Sequence, residues 1–408
     1  MHYLDLSYKP SKNDLICDFY VKPAKGISVK KVAENIALES STGTWTELKT
    51  WKKRIERISA RVFEIKGRRI KIAYPAELFE PGNISQILSS IAGNIFGMKL
   101  VESLRLEDVH IPKKLAKSFP GPEIGMEDLR RIMKIRNRPI AGTIFKPKLG
   151  LTPKEQAELA YRVYSAGIDY TKDDENLASM SFNKFEERIV RMLDVVDRIK
   201  SEEGRTVIYA CNITAPADVM LERAEMIKAQ GGKCIMIDII TSGWSALQFM
   251  RNQKLGLAIH AHRAMHAAFT RDPEHGISMK VIAKFARLAG VTALHTGTAV
   301  GKMEGSKREV QEIDSFLRAK WHGLKRVFPV ASGGLHPALI PSLVKLLGKD
   351  IIFTCGGGLW GHPQGPEAGA RAIRQALDAV MKGIPLKTHA RTHPELHTAL
   401  IHWSRRVR

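Results

Sequence analysis

Two hydrophobic rhythms divide the chain. Before residue 125, segments 15–21 (LICDFYV), 59–65 (SARVFEI) and 69–73 (RIKIA) read as strands, and 29–38 and 84–91 space their apolar residues as helices. That mixture predicts a compact α+β unit. Phe119-Pro120-Gly121-Pro122 interrupts both patterns and marks a boundary. Beyond it, apolar runs recur at 140–145, 168–171, 207–210, 234–240, 257–260, 293–295, 327–331 and 351–355. Helix-like segments lie between them, among them 153–165, 182–199, 216–229, 278–288, 340–347 and 366–381. Eight strands alternating with helices predict a (β/α)8 barrel. The expected architecture is therefore α/β: an α+β domain over 1–125, then a barrel over 126–408.

Composition narrows the class. The 408 residues are 44% hydrophobic and 26% charged, ordinary values for a folded protein, which excludes global disorder. No apolar stretch reaches the roughly 18 residues of a membrane span, and the first residues lack a signal-peptide layout. A soluble cytoplasmic protein with no membrane partner is expected. The four cysteines, Cys17, Cys211, Cys234 and Cys355, form no C-x-x-C pair and read as small buried residues. Lys and Arg outnumber Asp and Glu, 64 to 42, for a net charge of +22. The excess is spread along the chain and not held in a tail. Such a field suits nucleic acid, a small polyanion such as a sugar phosphate, or simply a solvated surface. The basic segments lack interleaved aromatics or a nucleic-acid motif.

In a barrel of this kind the active site sits at the C-terminal ends of the strands. Six of the eight expected strands end in ionisable or glycine-rich residues: Lys146-Pro147-Lys148, Lys172-Asp173-Asp174-Glu175-Asn176, His260-Ala261-His262-Arg263, His295-Thr296-Gly297-Thr298, Ser332-Gly333-Gly334 and Gly356-Gly357-Gly358. Alternation along a strand places Lys172 and Asp174 on one face, with Glu175 where the strand opens into its loop. Two carboxylates and a third oxygen donor suit Mg²⁺. A lysine ammonium is a poor ligand and needs neutralising or conversion to an oxygen donor. A solvated acidic turn with an ion-paired lysine is the other reading. The glycine ends expose backbone N–H groups suited to phosphate or simply to turning the chain, with Arg263, His295 and Lys302 as nearby cations. His260 reads as barrel packing, and the absence of an HExxH motif argues against a zinc hydrolase.

These residues resemble a known family. Thr143 to Leu151 (TIFKPKLGL), Tyr170 to Asn176 (YTKDDEN), His262 to His266 (HRAMH), Gly297 to Gly305 (GTAVGKMEG) and Ser332-Gly333-Gly334 are similar to the large subunit of ribulose-1,5-bisphosphate carboxylase/oxygenase (Rubisco). Glu39 to Trp45 (ESSTGTW) and Gly93 to Gly97 (GNIFG) extend the resemblance nearly end to end, closest in character to the archaeal form III branch. The resemblance implies carboxylation of D-ribulose 1,5-bisphosphate by CO2 to two 3-phosphoglycerates, with an oxygenase side reaction using O2. It implies that Lys172 takes up an activator CO2 as a carbamate, which binds Mg²⁺ with Asp174 and Glu175 and removes the C3 proton. His262 then assists proton transfer at C3, Lys146 acts near C2, and Lys148 orients that chemistry. Lys302, on a mobile loop, closes over the site, partnered by Glu39 and Asn94 of a neighbouring subunit. Thr44, Trp45, Gly334, Gly356 and Gly357 resemble one phosphate site, and Arg263, His295 and Ser332 the other. A homodimer or oligomer of dimers follows, with no small subunit and no nucleic acid. Leu359-Trp360 and Ala178 to Ser181 depart from the family pattern, and 304–332 is short. The alternative is a Rubisco-like Mg²⁺-dependent enolase or isomerase for another phosphorylated sugar. Retention of Lys146, Lys302, Glu39 and Asn94 favours the carboxylase.

Overall fold

The structure is a computed structural model that describes residues 3–44, 46, 48–301 and 306–404. Its strands are β1 (Leu15–Pro23), β2 (Arg61–Lys66), β3 (Arg69–Tyr74), β4 (Val101–His110), β5 (Ile140–Ile144), β6 (Tyr170–Lys172), β7 (Ile208–Asn212), β8 (Cys234–Asp238), β9 (Ala258–His262), β10 (Gly276–Ile277), β11 (Ala293–His295), β12 (Phe328–Ser332) and β13 (Ile352–Thr354). Two compact units share them.

The first unit holds a five-stranded sheet in the order β10-β4-β1-β3-β2. Along β1, Leu15, Cys17, Phe19 and Val21 are buried and their neighbours less so, the period-2 signature of a half-buried strand. The helix Val29–Glu39 buries Val32, Ala33, Ile36 and Ala37, a stripe set by helical spacing. Its start is fixed by Ser28, whose hydroxyl accepts from the Lys31 amide at 3.2 Å; such a cap contributes about 1 kcal/mol. Contacts group Met265–Ala289 and Trp321–Leu324 with this unit, although the sequence division at 125 leaves both on the barrel side. β10 pairs in parallel with β4, and the helix Met279–Ala289 sends Lys284 to Asp108 of β4. The sequence reading did not anticipate β4 as a strand.

The second unit contains a closed parallel barrel in the order β11-β12-β13-β5-β6-β7-β8-β9, on the eight runs expected. The helix Met126–Met133 closes its N-terminal end: Met126, Leu129 and Met133 pack against Ile140, Ile208, Phe328 and Ile352. Burying each such side chain contributes roughly 1.5–3 kcal/mol. The helix Pro153–Ser165 begins in a capping box, Thr152 with Glu155, and a proline in its first turn. The helix Trp244–Asn252 was not read from the sequence. All four cysteines are buried thiols. Among the described residues, no helix is long and apolar enough to cross a membrane.

Candidate active site

The strand ends converge as the alternation argument requires. β5 pairs with β6 so that Ile144 lies opposite Lys172. Lys172 is 1% exposed and Asp174 3%, both on the barrel side. The intervening Asp173 turns outward, where it accepts from Gln156 Nε2 (2.9 Å), the Tyr209 hydroxyl (2.6 Å) and the Asn212 amide (3.0 Å), beside Arg188 Nε at 3.4 Å. Those fixed donors lock the rotation of the strand end and hence the aim of its neighbours. Asn212 Nδ2 also donates to the carbonyls of Glu175 (3.2 Å) and Leu177 (3.1 Å), holding the loop that carries Glu175.

Lys172 Nζ donates to the Asp173 carbonyl at 2.8 Å and lies 3.7 Å from Glu175 Oε2. An ion pair at that distance is worth about 4 kcal/mol at an effective dielectric near 20, while burying an ammonium costs several. Burial wins: it pushes the Lys172 amine below the ordinary lysine range, against the pull of Glu175, Asp174, Asp238 and Asp173. For Glu175 burial works upward but is outweighed by His262 and Lys172, which hold the carboxyl below its usual range. Lys146 Nζ donates to Asp174 Oδ2 at 2.9 Å. His262 sits between two carboxylates, with Nδ1 3.2 Å from Asp238 Oδ1 and Nε2 3.6 Å from Glu175 Oε2. Sequence reasoning missed Asp238 and Asn212. The signal for Asp238 was a lone acid near the C-terminal end of an apolar run, Cys234-Ile235-Met236-Ile237-Asp238.

The opposite side of the mouth is basic. His295 Nδ1 lies 2.9 Å from Ser332 Oγ, and the His295 and His262 rings meet edge to face at 4.6 Å. Gly297, at φ +97°, leaves the space into which Arg263 packs; a Cβ there would lie 3.0 Å from Arg263 Nη2. Gly301, at φ +81°, lies against the Gly333 and Gly334 carbonyls, so the loops after β11 and β12 touch. Gly356 faces the Lys146 stem, 3.5 Å from where its Cβ would stand, and Gly357 opens the short helix Gly357–Trp360. Trp360 Nε1 donates to the Ile144 carbonyl at 2.6 Å, tying that helix to β5. Lys148 is exposed in the loop after β5.

The barrel unit thus brings together Lys146, Lys172, Asp174, Glu175, His262, Arg263, His295, Ser332, Gly334, Gly356 and Gly357. Glu39, Thr44 and Asn94 belong to the first unit, where Glu39 and Asn94 are exposed and Thr44 lines a cavity of about 470 Å³ with Tyr3, Glu34 and Trp51. Trp45 and Lys302 lie outside the described residues.

Residues 2–115 match the family model for the ribulose bisphosphate carboxylase large chain N-terminal domain, and 125–403 match that for its catalytic domain. The chain belongs to the Rubisco large-chain family. It is 50% identical to the ribulose bisphosphate carboxylase of Pyrococcus abyssi, over 99% of this chain and 96% of that one. Against that of Archaeoglobus fulgidus the identity is 45%, over 99% and 97%. An octameric Rubisco from Pyrococcus horikoshii, solved with sulfate ion, superposes with a TM-score of 0.95 at 49% identity, covering 98% of this chain and 96% of that one. The dimeric archaeal Rubisco of Hyperthermus butylicus gives 0.93 at 46%, covering 98% of each chain. These relatives are consistent with the archaeal form III branch of the Rubisco family.

The donor set fits the family's metal. Asp174 and Glu175 supply two hard oxygens, and the one mismatched group between them is the Lys172 amine, which a carbamate would turn into a third. Another acidic cluster, Asp18, Asp108 and His110 in the first unit, is filled by Lys280 and Lys284, which pair with Asp108.

Proposed function

We propose that this Rubisco carboxylates D-ribulose 1,5-bisphosphate with CO2 to give two 3-phosphoglycerates, and that O2 competes in an oxygenase side reaction. The observation that carries this reading is the buried Lys172 amine set against Asp174 and Glu175, with Lys146 and His262 at hand on adjoining strand ends. Burial favours the neutral amine, the form that attacks CO2. Lys172 Nζ bonds to the carbon of an activator CO2 and releases one proton, leaving an anionic carbamate. The carbamate, Asp174 and Glu175 would hold Mg²⁺, which when bound supplies Lewis-acid stabilisation of an enediolate. The Lys172 carbamate accepts the C3 proton of the sugar. His262, placed between Asp238 and Glu175, carries protons at the C3 oxygen. Lys146 donates the proton that quenches the final C2 carbanion, and Lys148 orients it. Lys302 closes over the site and steadies the new carboxylate.

Arg263, His295 and Ser332 take one phosphate; Thr44, Trp45, Gly334, Gly356 and Gly357 take the other. Glu39 and Asn94 act from a neighbouring subunit, making a homodimer or oligomer of dimers the working unit in the cytoplasm, without a small subunit. Incubation with ribulose bisphosphate, Mg²⁺ and labelled bicarbonate puts acid-stable label into 3-phosphoglycerate. An enolase lacking carboxylation would exchange the C3 proton and incorporate none. Lys302→Ala is expected to retain that exchange and lose the label.

A further inference from the structure

A line of side chains crosses the barrel interior, and its inner members, Tyr170 and His260, are left unused by the chemistry above. Tyr170 on β6, His260 on β9 and His295 on β11 are no more than 3% exposed. Tyr170 Oη lies 2.9 Å from His260 Nδ1. His260 Nε2 lies 2.8 Å from His295 Nε2. His295 Nδ1 ends the line 2.9 Å from Ser332 Oγ at the mouth. Cys234 Sγ, 3.4 Å from Tyr170 Oη, closes its inner end.

The geometry restricts the protons. A neutral imidazole carries one N–H and one lone pair. Burial holds both rings neutral. Where two Nε2 atoms face each other, one ring must donate and the other accept, so the whole line has two polarities. In the inward one, Ser332 O–H donates to His295, His295 to His260, and His260 to Tyr170; Ser332 then offers only lone pairs to the mouth. In the outward one, Tyr170 O–H donates to His260 Nδ1, His260 Nε2–H to His295, and His295 Nδ1–H to Ser332. The serine proton is then released toward the mouth. An anion can accept from Ser332 only in the outward polarity. A phenol is a stronger hydrogen-bond donor than an aliphatic alcohol, which tips the line that way.

We propose that Tyr170 and His260 are positioning residues that fix the His295 tautomer and thereby make Ser332 a donor to a phosphate group of the substrate. This rests on the reading of His295 and Ser332 as a phosphate site. Tyr170→Phe removes only the phenolic oxygen and is expected to raise KM for ribulose bisphosphate about five- to tenfold while kcat stays within about twofold. Ser332→Ala is the control for the site itself. If Ser332→Ala raises KM and Tyr170→Phe does not, the proposal falls and the phosphate reading stands. If Ser332→Ala leaves KM unchanged, the phosphate reading falls and takes the proposal with it. Solid-state spectra of the unaltered protein, ¹⁵N-labelled at histidine and loaded with inorganic phosphate, decide the matter even where a variant fails to fold. The proton of His295 is expected on Nδ1; a proton on Nε2 overturns the proposal.

Discussion

Asp173 and Asp174 are adjacent, chemically identical and almost equally buried, at 0% and 3% exposure, yet they do opposite work. Burial does not separate them; the partners do. Asp173 accepts from a glutamine, a tyrosine hydroxyl and a backbone amide, with Arg188 alongside, all held by the outer shell of the barrel unit. Asp174 faces the mouth, where its partners are the amine of Lys146 at the tip of a flexible stem and the Asn176 amide at 3.2 Å. A carboxylate whose acceptor sites are occupied by fixed donors is structural. One whose chief partner can swing away is available to a cation or a substrate.

The largest effect is expected on the inward side. Asp174→Asn takes the negative charge from one ligand of the proposed metal set, and Lys172→Ala removes another outright. A loss of several kcal/mol there should lower carboxylation about a thousandfold, measured as label incorporation, with the fold intact by circular dichroism. Asp173→Asn should do the converse: breaking a buried, paired carboxylate costs about 3 kcal/mol of stability in denaturant unfolding. Activity of the protein that remains folded should change far less than for Asp174→Asn. Equal losses of activity in both variants would erase the distinction between the two faces.

A third buried aspartate tests the rule from outside. Asp314, on the helix Lys307–Arg318, is 0% exposed. Burial pushes its carboxyl up to about 6, with Thr296, Arg318 and Arg263 pulling only partly the other way. Between the ordinary 3.8 and about 6 the native state binds the proton more tightly, so stability falls as pH rises through that window. Asp314→Asn should therefore stabilise the protein by about 3 kcal/mol at pH 8 and by almost nothing at pH 4, read from denaturation midpoints.

The smallest effect belongs to His260 and His295, held by burial below the ordinary imidazole value of 6.5. Here the unfolded chain takes up the proton first. Stability is full above about pH 6.5 and drops as pH falls below it, by up to about 1.4 kcal/mol per pH unit for each ring. His260→Gln should flatten that slope in unfolding curves taken between pH 5 and 7.

The barrel was legible because its strands are buried on both faces and so read as unbroken apolar runs. β4 was not, since Glu102, Arg105, Glu107 and Asp108 interrupt its pattern. Arg105 and Asp108 are nonetheless buried, because Arg105 donates to the carbonyls of Thr270 and His275 and Asp108 pairs with Lys280 and Lys284, partners far along the chain. At the site, the alternation of Lys172, Asp173 and Asp174 could be read from spacing alone. The polar partners at the site, Asn212 against Asp173 and Asp238 beside His262, are brought in by strand pairing, which local pattern does not encode. The same is true of Tyr170 and His260, whose meeting depends on barrel closure.

The late arrival of β10 and the helix Met279–Ala289 has a consequence for synthesis. Leu104 of β4 receives its contact from His275, 171 positions downstream. A ribosome that has released the first 121 residues has therefore delivered an unfinished sheet with an open edge on β4. The nascent chain must carry that edge, a template for wrong pairing, through the making of five barrel strands before its own cover emerges.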